Sequence, residues 1–132
     1  MAAILIACAF SAGVHLALAP EHLAESPRLG AGFLIAATVL LASGLAVFVF
    51  PEADSAPLTV ALMCAGLIAA YAASRTIGLP GLEPEPESLD AIGLVTQVPQ
   101  LGALILALRL YRKNRSRHER LHETRRIGWT RT

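Results

Sequence analysis

Polar and apolar positions along this chain separate into blocks instead of alternating at a fixed spacing. Four stretches, Met1–Pro20, Leu29–Phe50, Pro57–Ser74 and Ala91–Leu108, carry no charged residue. Each is close to the roughly 20 residues that a helix needs to cross about 30 Å of hydrocarbon. The pattern predicts four membrane-spanning helices, over about residues 2–19, 30–50, 57–74 and 90–110. Pro20 lacks an N–H and crowds the preceding turn, which predicts an end or a kink in the first helix. "FPEADSAP" reads as a short turn, with Asp54 and Ser55 as candidate caps for the third helix and Pro57 in its first turn. "GLPGLEPEPES" is too rich in proline and glycine to be helical throughout and predicts the longer loop. The fourth helix opens near Ser88–Ala91 and carries Pro99 inside it.

Short connections make neighbouring spans antiparallel. The expected fold is therefore an all-α, up-down four-helix transmembrane bundle over residues 1–112, followed by a basic tail, 113–132. Lipid offers no hydrophobic drive between helices, so small residues should line the seams. Gly32 with Ala36 and Ala37, Ser43 with Gly44, and Ala65 with Gly66 and Ala69 are the expected contacts.

Composition agrees with this reading and adds a direction. Of 132 residues, 55% are hydrophobic and 16% charged, against about half and about a quarter in a soluble domain. The net charge of +1 hides an asymmetry, because nine of the eleven Lys and Arg residues lie between Arg109 and Arg131. A basic run directly after the last span is a positive-inside signal. It predicts a multi-pass membrane protein with both termini cytoplasmic. The first twenty residues contain no basic residue, so the opening stretch reads as a retained span and not as a cleaved signal peptide. Arg112, Lys113, Arg115 and Arg117 are then placed to meet anionic lipid head groups, each adding about 1 kcal/mol near such a surface. Trp129 is placed to anchor the end of the tail. The basic run thus belongs to a membrane surface and not to nucleic acid. The outer segments are acidic, holding Glu21, Glu25, Glu83, Glu85, Glu87 and Asp90 against Arg28 and Arg75.

Chemistry-bearing residues gather in "HLALAPEHLAE". On a continuous helix His15 and His22 lie nearly on one face, about 10 Å apart along the axis, and His22 and Glu25 are surface neighbours. Imidazole with carboxylate suits a divalent transition metal (copper, zinc or iron), with His15, Glu21, His22 and Glu25 as ligands and Glu83, Glu85 and Glu87 within reach to complete the shell. The structural alternative is a charge-paired cap joining Glu21 or Glu25 to Arg75 or Arg28. A haem is not favoured, because the other three spans contain no histidine and a second axial ligand would need a dimer.

Other candidates carry plainer readings. "HERLH" matches a zinc-protease string, but it lies in a charged tail with no fold around it to form a cleft. Cys8 and Cys64 sit at similar depth in parallel spans, so a copper(I) relay with Met63 and simple apolar filling are both open. Gln97 and Gln100 put amides inside the fourth span, either for bonds between helices or as a polar path running down from His15. There is no nucleotide-binding loop or serine nucleophile constellation, and an independent enzyme is not expected. Two classes remain: a small metal-binding membrane protein, and an accessory subunit or oligomeric bundle docking on a larger membrane complex.

"HLALAPEHLAESPRLGAGF" together with "YAASRTIGLPGLEPEPE" resembles a group of small four-span membrane proteins of high-GC, actinobacterial-type bacteria. The likeness covers roughly a third of the chain, around the outer ends of the first and third spans. The group has no assigned activity, so the resemblance transfers no catalytic residue. It implies the four-span topology and draws notice to His15, Glu21, His22, Glu25, Ser74, Arg75 and Thr76.

The orientation can be checked by labelling. In a background lacking Cys8 and Cys64, a membrane-impermeant maleimide applied from outside should modify Ser26→Cys or Ser88→Cys and spare Ser116→Cys. The reverse pattern would overturn it.

Overall fold

The computed structural model describes residues 1–79, 81–82 and 85–129, with side chains through residue 120. Its elements are α1 (Ala2–Glu25), α2 (Pro27–Val49), α3 (Ser55–Thr76) and α4 (Ala91–Trp129). All four are long and apolar enough to cross a membrane. Between 22% and 33% of each apolar window is buried inside the protein, so most of the apolar surface points outward. Ile6, Ile35, Leu62 and Val98 are each more than 60% exposed. A sheath of this kind suits hydrocarbon, where the backbone of each helix is already satisfied within the segment.

Two boundaries differ from the expectation. First, α1 does not stop at Pro20 but continues through it to Glu25. The expected loop, "PEHLAESPR", shrinks to Ser26, which is extended at φ −147° and ψ 113°. Ser26 Oγ accepts from the Leu29 N–H at 3.4 Å and Pro27 occupies the first turn of α2. A capping serine followed by proline is a strong helix start, and it lets one helix end and the next begin around a single residue. Pro20 is exposed on α1, where the carbonyl it frees has room to find another partner. Second, α4 runs past residue 110 to Trp129. No proline interrupts that stretch, and Arg115 and Glu119, one turn apart and 3.5 Å from each other, support it. At the start of α3, Asp54 holds the cap position without making a side-chain cap bond.

Neighbouring helices touch in the cyclic order α1, α2, α3, α4 and back to α1. The α1–α2 seam depends on glycine. A Cβ on Gly30 would lie 2.6 Å from Leu23 Cα, and one on Gly44 would lie 2.8 Å from Cys8 Cβ. Both are closer than real carbon atoms approach, so hydrogen alone fits there. Ile4, Cys8, Leu40, Val47, Val60, Cys64, Ala103 and Ala107 form the core. Of the expected small-residue contacts, Ala36, Ala37, Ser43 and Gly44 are buried, whereas Gly32, Ala65, Gly66 and Ala69 are exposed. α3 turns Val60, Ala61 and Cys64 inward instead.

Gly44→Val should force α1 and α2 apart and cost about 1–3 kcal/mol, the usual penalty of overpacking. Gly66→Val, which would meet open space, should leave stability unchanged. Thermal unfolding in detergent, followed by circular dichroism, compares the two.

Candidate functional site

The acidic end is organised by Arg75, in the last turn of α3. Its guanidinium pairs with the carboxylates of Glu87 and Asp90 and donates to the Ser88 carbonyl at 2.6 Å. The Tyr71 ring lies beneath it, 4.9 Å from the guanidinium carbon to the ring centroid. Asp90 has two tasks. One oxygen holds Arg75 at 2.7 Å, and the other accepts from the Gly93 N–H at 2.5 Å, capping α4. Gly93 in turn packs against the Tyr71 ring and Asp90, leaving no room for a side chain. Ser74 is buried; its hydroxyl donates to the Tyr71 carbonyl, and its own carbonyl accepts from the Glu87 N–H at 2.9 Å, fastening the loop to the end of α3. Thr76 is exposed and bonds back to Ala72.

The partner of Arg75 is thus neither Glu21 nor Glu25, as expected, but Glu87 and Asp90. The loop between α3 and α4 brings these acids to Arg75 after 12 and 15 residues, and a short loop closes at lower entropic cost than contact with α1. Glu21 and Glu25 are exposed.

His15 and His22 do converge, but on an aromatic ring. Phe33 of α2 stacks against His22 at a centroid separation of 4.2 Å and against His15 at 5.3 Å. His15 Nδ1 is 2.8 Å from the Ser11 carbonyl one turn earlier. His22 Nδ1 lies 3.4 Å from Glu25 Oε2, close enough for an ion pair but outside hydrogen-bonding geometry. Among the described residues, no group of three or more His, Cys, Asp or Glu is placed to hold a metal ion. Glu83 lies outside the described residues.

A polar track continues inward from His15. Ser11 is buried, and its hydroxyl accepts from Gln100 Nε2 of α4 at 2.9 Å. The Gln100 side chain is 1% exposed, and its carbonyl oxygen has no partner among the described residues. Gln97 donates to the Gly93 carbonyl of its own helix, and its oxygen is likewise unpartnered. Gln100 therefore makes a bond between helices and Gln97 does not. Cys8 and Cys64 are both buried in the apolar core as free thiols. Met63 is half-buried against the same core.

At the basic end, Asn114 is buried and donates to the Pro51 carbonyl at 2.9 Å, while Arg117 pairs with Glu52. Both contacts tie α4 to the α2–α3 turn. Arg112, Lys113 and Arg115 are exposed. In "HERLH", His118 and Glu119 are exposed and Glu119 is engaged by Arg115; the side chains of His122 and Trp129 lie outside the described residues. No protein-family model, curated protein or solved structure matches this chain.

Sequence reasoning counted Asp90 among the outer acids but missed its pairing with Arg75, and it missed Phe33. Asp90 was legible in principle, as an Asp directly before an apolar block and one short loop after an Arg in a last helical turn. Phe33 carried no such signal, being one apolar residue among many.

Ser11→Ala should strand the Gln100 amide and cost about 1 kcal/mol, the usual net scale for such a bond. The double variant Ser11→Ala/Gln100→Leu removes both polar partners and should recover that loss. Equal unfolding temperatures for the single and double variants would show that the Ser11–Gln100 bond is not formed.

Proposed function

We propose that this chain is a non-enzymatic accessory subunit of a bacterial plasma membrane, an up-down bundle with both termini cytoplasmic and an outer cluster that works as an ion-paired cap. The observation that carries this reading is the engagement of both terminal nitrogens of the Arg75 guanidinium. Two carboxylates, a carbonyl and an aromatic face surround one guanidinium whose side chain is 15% exposed. Such an arrangement closes the acidic ends of α3 and α4 and leaves the arginine little capacity for a substrate. Phe33 supports the same reading, since both histidine rings pack against its ring. The outward apolar surface supports a covering by lipid, by further copies, or by a larger membrane complex.

The metal reading keeps one observation in its favour, the His22–Glu25 pair at 3.4 Å. Copper, zinc or iron on that pair would draw on His15 or Glu21 for further ligands and would leave Arg75, Ser74 and Thr76 as outer supports. Two donors one turn apart form half of a usual four-ligand site.

The two readings part on one pair of variants. For the cap, Arg75→Ala strands two carboxylates and should lower the unfolding temperature in detergent by roughly 5 °C or more, at about 1.5–3 kcal/mol for bonds to charged groups. Metal content should be negligible before and after. Stoichiometric copper, zinc or iron in the purified protein, lost in His22→Ala, would overturn the cap in favour of the metal site.

A further inference from the structure

We propose that a hollow at the basic end of the bundle binds the phosphodiester head group of an anionic phospholipid. The hollow has a volume of about 340 Å³ and lies between Met1 of the chain start, Pro51 and Glu52 of the α2–α3 turn, and Leu110, Lys113 and Arg117 of α4. This is the low end of the size range of small-molecule pockets, which suits a head group and not a whole lipid. Lys113 and Arg117 are four apart and share a face of α4; Arg120 also lines the space. Three cations therefore surround the hollow against one carboxylate, Glu52. That carboxylate pairs with Arg117 and holds its guanidinium at the rim. Lys113 has no ion-pair partner among the described residues, so its charge is available to an incoming anion. The walls are fixed, because the buried Asn114 ties α4 to the turn through the Pro51 carbonyl at 2.9 Å.

Lipid is favoured over free phosphate by the change of character across the hollow. Leu110 adds an apolar side chain beside the charged ones, as an amphiphile with an acyl chain requires. The hollow also lies where the apolar run of α4 gives way to basic residues, the depth of head groups in a spanning helix. The inference rests on the reading of the chain as membrane-spanning and goes beyond diffuse attraction of a basic tail. Arg112 and Arg115 carry the same charge on the same helix but do not line the hollow, so they serve as internal controls.

The test is titration of the full chain in neutral detergent with short-chain phosphatidylglycerol, phosphatidylcholine and inorganic phosphate, read by native mass spectrometry. Phosphatidylglycerol should bind at one site, and Lys113→Gln should weaken it by about tenfold, the effect of losing one charge-assisted contact. Lys113→Arg should restore it, and Arg112→Gln and Arg115→Gln should change it little. Equal weakening by all three glutamine variants, or equal binding of phosphatidylcholine, would overturn the pocket. Equal binding of inorganic phosphate would replace the lipid with a soluble phosphate ligand. Reconstitution into vesicles without bound phosphatidylglycerol would refute the pocket alone, whereas failure to reconstitute would refute the membrane reading beneath it.

Discussion

A polar group in hydrocarbon has to find its partner inside the protein, because no water is there to take its place. Six hydroxyls of this chain obey that constraint in the simplest way. Thr38, Ser43, Thr59, Ser74, Thr76 and Thr96 each donate to a carbonyl three or four residues earlier on their own helix, and His15 is bonded to the Ser11 carbonyl in the same manner. Groups satisfied within their own helix contribute little to holding the helices together. Cohesion comes from elsewhere.

It comes in two different forms. α1 and α2 are joined by a single non-helical residue and held by close backbone approach at Gly30 and Gly44, which gains dispersion contacts where lipid supplies no hydrophobic drive. α4 is held by polar ties at three levels. Asp90 at its start binds Arg75 of α3, Gln100 in its middle binds Ser11 of α1, and Asn114 near its basic end binds the α2–α3 turn. Each tie is specific in register, because an amide or carboxylate displaced by one residue loses its partner entirely. Dispersion sets how near two helices lie, and the polar ties set where α4 stops sliding along its neighbours.

The same ties give the two ends opposite characters. At the acidic end Arg75 is spent on Glu87 and Asp90. At the basic end Lys113 has no ion-pair partner among the described residues and lines a hollow whose walls are fixed by Asn114. The two ends of the bundle thus differ in what their charges are left to meet.

The number of the helices was determined by the sequence, because four uncharged blocks of spanning length leave the backbone few other ways to be satisfied. The loop over 77–90 and the core amides were legible for the same reason: proline and glycine exclude helix in the first, and polar atoms in an apolar run demand partners in the second. Composition could not say that α1 would run through Pro20, since the cost of a missing N–H depends on what surrounds the freed carbonyl. Nor could it decide which small residues meet. Gly44 and Gly66 look alike in sequence, yet one touches Cys8 and the other faces outward. The outer cluster was found as a set of residues and mispaired as a site. Arg75 chose between acids by loop length, and His15 and His22 met on Phe33, an apolar residue with no mark of its own. Spacing places a side chain on its own helix; only the rotation and register of the neighbouring helix decide what it touches.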